Sequence, residues 1–272
     1  MRAAVINLRC GGDIAANLET AEHYIRAAHK DGAKLIATPE NTLLMQPGSK
    51  KLFAAIQPEA QTLGVSFFSA LARELGIDLL IGSMAIKLSE RKAANRSFLF
   101  GPDGKIKARY DKIHMFDVTI NEAETWKESA NYQAGNTPVI AKAGGFNIGM
   151  SICYDLRFAN LYKHYARAGA HIMSIPSAFT AVTGKAHWRT LLRARAVETS
   201  SYVLAPTQGG VHDGGRATWG RSMIIDPWGE VIAVLDHAEP GFICADLSMA
   251  KLLDIRARIP AWNHETQMPD PV

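Results

Sequence analysis

The chain has 272 residues, of which 47% are hydrophobic and 21% charged, with 30 Lys and Arg against 26 Asp and Glu. This is the composition of a globular protein, and a net charge of +4 is too small and too scattered to indicate a nucleic-acid-binding protein. No stretch approaches the roughly 18 consecutive apolar residues of a membrane span. We therefore expect neither nucleic acid nor a membrane among its partners.

The first half of the chain alternates strand and helix patterns. An apolar stripe that begins after Asp13 predicts a helix closed by Gly32, and Pro39 stops the short strand that follows. Turn residues predict a hairpin around 101–104. Further strands are predicted at 2–8, 34–38, 78–86, 95–100 and 105–111, and a second helix at 65–74.

The second half begins with residues 118–138, whose irregular pattern predicts a long loop with one helical turn. The glycine-rich stretch 209–215 lacks the frame of a phosphate-binding loop and predicts a hairpin loop. Strands are predicted at 139–142, 146–153, 171–175, 202–206, 222–226, 230–235 and 242–246, and helices at 161–168, 186–199 and 248–258.

The chain contains no linker and no tandem repeat, so we expect a single domain over 1–272, with 260–272 as a C-terminal tail. Hairpins mixed with strand–helix–strand units predict an α/β fold of two mixed sheets faced by helices. The chain begins directly with a strand rather than a leader pattern. Its cysteines, Cys10, Cys153 and Cys244, are odd in number and far apart, so we expect no disulfide framework and a cytoplasmic location.

Cys153 is the most informative residue. It ends the alternating apolar run 146–152 and precedes the polar cluster 154–158, as expected of a nucleophile that leaves a buried strand and faces a cleft. A lone cysteine in such a place is more often an inert core residue. However, Glu40 and Lys112 also stand at predicted strand ends, where α/β proteins build their sites. No His or Cys pair has the spacing of a metal site.

Taken in order, these motifs resemble the nitrilase superfamily of carbon–nitrogen hydrolases. The segments 39–40, 111–114 and 152–155 match its Glu, Lys and Cys motifs, and Glu128 in the irregular loop matches its second Glu. The resemblance covers essentially the whole chain. It implies a four-layer α-β-β-α sandwich, a reaction without metal or organic cofactor, and a homodimer or larger homo-oligomer.

The resemblance also implies the roles of the site residues. Cys153 is the nucleophile and Glu40 the general base. Lys112 and the backbone N–H of Tyr154 stabilise the oxyanion, and Glu128 orients Lys112 or the substrate amide. The expected reaction is amide hydrolysis through a thioester, with release of ammonia.

Within the superfamily the chain looks like the Nit amidases, which hydrolyse deaminated glutathione or ω-amides of α-keto acids. The segments 153–158, 176–179, 184–188, 192–196 and 226–229 carry this similarity, and nitrile hydrolysers have Trp-Glu where this chain has Tyr154-Asp155. Deaminated glutathione is the expected substrate. An ω-amidase, an N-carbamoyl amidohydrolase, a nitrilase and a catalytically silent binding or assembly module remain alternatives.

Both expected kinds of substrate carry a carboxylate. Arg157, four residues after Cys153, is expected to bind it, unless Arg157 forms a structural pair with Asp155. Thr183, His187 and Trp188 are expected to line the rim of the substrate pocket. Two departures from the family pattern bear on the pocket wall: Ala159-Asn160 in place of Pro-Glu, and Arg221 in place of His.

Overall fold

The structure, a computed structural model, describes residues 1–46, 48–122, 124–264 and 266. Most elements lie where the sequence predicts them. Within the described residues the helices are α1 (Ile14–Lys30), α2 (Ser49–Ala55), α3 (Leu63–Leu75), α4 (Ala159–Arg167), α5 (Ala181–Thr199) and α6 (Met249–Arg258). The strands are β1 (Arg2–Leu8), β2 (Leu35–Ala37), β3 (Asp78–Lys87), β4 (Ala93–Phe100), β5 (Ile106–Asp111), β6 (Asp117–Asn121), β7 (Glu124–Lys127), β8 (Ile140–Ala143), β9 (Phe146–Met150), β10 (Ile172–Ser174), β11 (Tyr202–Ala205), β12 (Thr207–Val211), β13 (Ala217–Trp219), β14 (Met223–Ile225), β15 (Val231–Val234) and β16 (Gly241–Asp246).

The strands form two large mixed sheets. The first has eight strands in the order β13-β12-β1-β2-β3-β4-β5, with β16 antiparallel to β1. The second has six strands in the order β15-β14-β11-β10-β9-β8, and β6 and β7 form a separate two-stranded ribbon. The central pairs β1–β2, β2–β3, β9–β10 and β10–β11 are parallel, which matches the predicted strand–helix–strand units.

Side chains of the first sheet alternate between two cores, as the two-residue period of a strand requires. Along β1, Ala3 and Val5 pack into a core shared with the second sheet, whereas Ala4 and Ile6 pack with α1 and α3. The second sheet shares its core with α4 and α5. The layers are therefore helix, sheet, sheet, helix, and the expected α-β-β-α sandwich is confirmed.

The predicted loop at 118–138 is wrong in its first part, where β6 and β7 pair as a hairpin. Side chains of β7 alternate between half-buried and exposed and none is buried, so this ribbon has no apolar run that a sequence pattern could reveal. The predicted helical turn does follow, at Glu128–Ala130. Helix α2 was not predicted either, because Leu52 is its one buried residue and its sequence has no apolar stripe.

The predicted hairpin loop at 209–215 is partly wrong as well. Gly209 and Gly210 belong to β12, and only the turn Asp213–Gly215 connects it to β13. Close packing requires a glycine at position 209, since a Cβ there would lie 2.1 Å from the carbonyl oxygen of Ala238. Helix α5 begins at Ala181, ahead of its predicted start at 186, because the side chain of Thr180 caps it.

The expected C-terminal tail is described only in part. Residues Ala261–Asn263 form a single 3-10 turn in which Trp262 packs against the main core. Glu265 and residues 267–272 lie outside the described residues. None of the described helices is both long enough and apolar enough to cross a membrane.

Candidate active site

A cavity of about 640 Å³ lies where strands of both large sheets end. Glu40 comes shortly after β2, Lys112 directly after β5, and Cys153 shortly after β9. All three line the cavity and are 7% exposed or less. Cys153 does not end its strand as predicted: β9 stops at Met150, and Cys153 begins a 3-10 turn, Cys153–Arg157. The fourth predicted residue, Glu128, lines the same cavity from the turn after β7.

Lys112 joins the two carboxylates. Its Nζ lies 3.0 Å from Glu40 Oε1, and 3.0 and 2.8 Å from the two carboxylate oxygens of Glu128. Two of these three contacts go to the single carboxylate of Glu128. The buried cation is therefore paired with two carboxylates, which is the condition under which a charge is stable away from water.

Asn95, on β4, holds the carboxylates together from another side. Its Nδ2 donates to Glu40 Oε1 at 2.9 Å and to Glu128 Oε1 at 3.1 Å. Since a carboxylate accepts and does not donate, the nitrogen of the amide must face these oxygens. Backbone donors complete both carboxylates: Ala178 N–H donates to Glu40 at 2.9 Å, and Phe116 N–H to Glu128 at 2.7 Å.

These contacts determine the charge states. Burial acts to raise the pKa of Glu40, but the Lys112 ammonium and hydrogen bonds from Cys153 and Lys112 outweigh it and hold the pKa below its ordinary value. Burial acts to lower the pKa of Lys112, but the Glu128 and Glu40 carboxylates hold it well above its ordinary value. Burial, and then the Glu40 carboxylate, raise the pKa of the Cys153 thiol. At neutral pH the site therefore contains an ionised Glu40, a charged Lys112 and a neutral thiol.

Cys153 has a backbone conformation that few residues adopt. Its φ is 49°, and its N–H donates to the carbonyl of Pro176 at 2.9 Å. A non-glycine residue at positive φ is uncommon and is found preferentially at functional sites. Asn41, directly after Glu40, has a φ of 58°. The residues that present the thiol and the carboxylate to the cavity thus both lie at sharp bends of the backbone.

Two donors are available for an oxyanion next to the thiol. Lys112 lies close enough to Cys153 for its charge to lower the pKa of the thiol against the larger effects of burial and Glu40. Tyr154 lies in the first turn of the 3-10 helix, where a backbone N–H has no acceptor inside the helix. The predicted oxyanion donors, Lys112 and the N–H of Tyr154, therefore lie beside the nucleophile.

The predicted substrate-binding residues are only partly brought together. Thr183 lines the cavity, but Arg157, His187 and Trp188 are not among the lining residues. Trp188 is 1% exposed and donates its indole N–H to the carbonyl of Arg221. The expected rim positions of His187 and Trp188 are thus wrong, because Trp188 is buried in the core and the exposed His187 contacts Arg157.

Arg157 needs the same correction. Its guanidinium lies 3.3 Å from His187 Nδ1 and packs over the ring of Phe179. The alternative pair with Asp155 is also wrong, since Asp155 bonds to Tyr110 and His114 instead. Arg157 ends the 3-10 turn and points to α5, so it neither lines the cavity nor pairs with the adjacent acid.

The family model described as carbon-nitrogen hydrolase matches residues 2–257.

The chain belongs to the carbon–nitrogen hydrolase family.

Relatives of this carbon–nitrogen hydrolase support the assignment along nearly its whole length. It is 38% identical over 267 residues to deaminated glutathione amidase of Synechocystis sp., which covers 96% of this chain and 97% of the relative. It is 33% identical over 264 residues to an omega-amidase of Homo sapiens, covering 97% of this chain and 94% of the relative. The crystal structure of the C. elegans NitFhit protein superposes with a TM-score of 0.88 at 31% identity, over 97% of this chain and 64% of that one.

Three residues of the carbon–nitrogen hydrolase site were not predicted from the sequence. Asn95 lies inside a strand, Arg216 lies after the glycine-rich turn, and Asp155 was considered only as a partner of Arg157. Asn95 and Arg216 line the cavity, and Asp155 is fully buried within the turn that begins at Cys153. The one available signal was the polar run Asn95-Arg96-Ser97 inside β4, whose other residues are apolar, since polar side chains in a buried strand indicate buried polar contacts.

The two departures from the family pattern lie outside the cavity lining. Helix α4 begins directly at Ala159, so the substitution does not remove its first turn. Arg221 has a φ of 64° and packs its guanidinium 3.9 Å from the ring centroid of Trp219. In this carbon–nitrogen hydrolase neither departure contributes a side chain to the pocket wall.

Proposed function

We propose that this carbon–nitrogen hydrolase cleaves the amide bond of a small carboxylate-bearing acid through a thioester on Cys153. One arrangement carries the proposal: Cys153 and Glu40 line the same cavity, the Glu40 carboxylate lies near enough to raise the pKa of the Cys153 thiol, and Glu40 lies 3.0 Å from the Lys112 ammonium. A nucleophile, its base and a cation for the oxyanion are thereby adjacent.

In the first half-reaction Glu40 accepts the thiol proton as the sulfur attacks the amide carbon. The carbonyl oxygen becomes an oxyanion, which Lys112 and the N–H of Tyr154 stabilise. Such a donor is worth about 3 kcal/mol of barrier. The protonated Glu40 then gives its proton to the departing nitrogen, the C–N bond breaks, and the acyl group remains on Cys153 as a thioester.

In the second half-reaction Glu40, again ionised, accepts a proton from a water molecule that attacks the thioester. The C–S bond breaks, the acid leaves, and Glu40 returns the proton to the sulfur. Glu128 contributes by position: its two oxygens hold Lys112, and its contact with Asn95 ties it to Glu40. We therefore assign Glu128 the role of orienting Lys112.

Deaminated glutathione is the substrate we propose first, because the Synechocystis relative of that name is similar over nearly the whole chain. The ω-amide of an α-keto acid is the second candidate, favoured by the Homo sapiens omega-amidase. Both reactions transfer the same acyl group, α-ketoglutaryl, and both yield α-ketoglutarate. They differ in the leaving group, since glutathione's amides are secondary and release an amine, so the expected ammonia appears only from a primary ω-amide.

A panel of four substrates tests this function. The purified protein is given deaminated glutathione, α-ketoglutaramate, an N-carbamoyl amine and a simple nitrile, and α-ketoglutarate, ammonia and carbon dioxide are measured. We expect α-ketoglutarate from the first two, with the higher kcat/KM on deaminated glutathione. Carbon dioxide release would indicate the carbamoyl alternative, and turnover of the nitrile alone would indicate a nitrilase. No turnover of any of them would indicate a silent module.

We further propose that the protein works in the cytoplasm as a homodimer or larger homo-oligomer. The three cysteines are free, which suits a reducing compartment. Val197 on α5 and Trp228 after β14 are exposed by 54% and 44%, and Arg193 bonds the carbonyl of Gly229, which brings these apolar side chains to one surface. Light scattering on the wild type and on Val197→Glu tests the assembly, and a monomeric wild type would contradict it.

A further inference from the structure

Gln208 lies on β12 and is fully buried, and it is not among the residues that line the cavity. Its side chain ends at the bend that carries the base. Its Nε2 donates to the backbone carbonyl of Glu40 at 3.0 Å and lies 3.4 Å from that of Asn41. On its other side the amide contacts Cys10, whose N–H donates to Oε1 at 3.0 Å and whose Sγ lies 3.2 Å from Nε2. Since a carbonyl accepts and an N–H donates, these contacts determine which way the amide faces.

The bend depends on this donor. Asn41 has a φ of 58°, a conformation that costs energy and persists only where the surrounding structure holds it. Its backbone N–H is held by the hydroxyl of Ser83 at 2.9 Å. Among the described residues, Gln208 is the one donor to the carbonyls of Glu40 and Asn41. A buried carbonyl without a donor is costly, so Gln208 completes the bend from its carbonyl side.

Gln208 also holds the other end of Glu40, through its own backbone. Its N–H donates to the carbonyl of Ser177 at 2.9 Å. The same planar peptide unit carries the N–H of Ala178, which donates to Glu40 Oε2 at 2.9 Å. The second oxygen, Oε1, is bound by Lys112. One buried residue thus fixes both the main chain of the base and the donor to one oxygen of its carboxylate.

We propose that Gln208 is a positioning residue for the base, which keeps the carboxylate of Glu40 within reach of the Cys153 proton. This rests on the proposed function, in which Glu40 is the base, and extends the catalytic apparatus to a residue outside the cavity. Proton transfer requires the base within hydrogen-bond distance of the group that it deprotonates. A displacement of about 1 Å is enough to lower a rate by about 100-fold.

Replacing the amide by an apolar side chain of similar length tests the assignment. In Gln208→Met we expect kcat to fall at least about tenfold and KM to stay within about twofold, because the base moves while the cavity wall is unchanged. Gln208→Leu, a second apolar variant, should show the same split between kcat and KM.

Asn7→Leu is the matched control. Asn7 is fully buried on β1, next to β12, and its Nδ2 also donates to two backbone carbonyls, those of Ala238 and Glu239. The control therefore removes a comparable buried amide that makes no contact with the base. It should lower stability but keep kcat within about twofold of the wild type.

Alkylation of Cys153 by iodoacetamide, followed by mass spectrometry, reports on the base without requiring hydrolysis. In the wild type the sulfur attacks, iodide leaves and Glu40 accepts the proton, so the rate should be nearly constant from about pH 6 to 8. In Gln208→Met the thiol has to ionise without the base. Its rate should be at least about tenfold lower at pH 7 and should rise with pH. Cys244, which is half-buried and outside the cavity lining, is the reference thiol and should react equally in both proteins.

Equal losses of kcat in Gln208→Met and Asn7→Leu would overturn the proposal, and so would a loss that appears in KM alone. An unchanged rate and pH profile of alkylation at Cys153 would also overturn it. If the wild type turns over no amide, the proposed function fails, while alkylation still decides the role of Gln208.

Discussion

The hydroxyl of Tyr110 donates to the carboxylate of Asp155 at 2.7 Å in a fully buried contact. Tyr110 lies on β5, which ends just before Lys112, and Asp155 lies in the turn that begins at Cys153. The same carboxylate accepts the backbone N–H groups of Ile152 and His114 at 2.8 and 3.0 Å. Asp155 therefore fixes the segment of the nucleophile to the segment of the cation.

Replacing Asp155 by asparagine should damage both stability and activity. The two oxygens accept from Ile152 N–H and His114 N–H respectively, so either orientation of an amide places its NH₂ against a backbone donor. We expect the free energy of unfolding to fall by about 2–3 kcal/mol and kcat to fall at least about tenfold. Urea unfolding and steady-state kinetics measure these effects. Asp103→Asn, in an exposed hairpin turn, is the control. An Asp155→Asn variant as stable as the wild type would show that Asp155 does not hold the two segments together.

Removing the ammonium in Lys112→Met should lower kcat by about 100-fold or more with little change in KM, because an oxyanion contact is strongest in the transition state. Lys105→Met removes a charge from a side chain that is 84% exposed and should have no effect. Circular dichroism has to accompany the kinetics, since Glu40 and Glu128 then lose their shared partner. A rise in KM at constant kcat would show that Lys112 only binds substrate.

The pH profile should be flat on the acid side of neutrality. The pKa of Glu40 lies below its ordinary value of 4.5, so the base stays ionised as the pH falls to about 5. The stability of the fold depends on pH in the same direction. A carboxyl whose pKa falls on folding stabilises the fold above its unfolded pKa, and this contribution is lost as the pH falls through the native pKa. Measurement of kcat/KM from about pH 5 to 9 tests this, and an acid limb centred near pH 6 would contradict it.

The sequence predicts the parts of the site that local patterns carry. Glu40 follows a short apolar strand, Lys112 follows a strand of alternating residues, and Cys153 follows an apolar run. Arg216 has no such local signal, and Asn95 has only the polar run inside β4. Each reaches the cavity through its tertiary position, Asn95 from β4, which lies between β3 and β5, and Arg216 from the segment before β13.

The errors in the predicted fold have the same origin. Strands with one face in each core, such as β1, are predicted well because both faces are buried. In the ribbon of β6 and β7 no β7 side chain is fully buried, and the alternation of its four residues is too short to predict a strand. The sequence could not predict the direction of the Arg157 side chain either, since it depends on where α5 packs against the turn Cys153–Arg157. Spacing along the chain placed Arg157 near the nucleophile without fixing which way it points.

The most direct test of the account is to trap the acyl group on the nucleophile. Wild-type protein turning over either deaminated glutathione or α-ketoglutaramate is quenched in acid and analysed by mass spectrometry with peptide mapping. We predict the same added mass from both substrates, that of an α-ketoglutaryl group, located on Cys153. Cys153→Ala should show no adduct and less than about a hundredth of the wild-type kcat. Turnover retained in Cys153→Ala, or an adduct on Cys10 or Cys244 instead, would contradict the thioester mechanism.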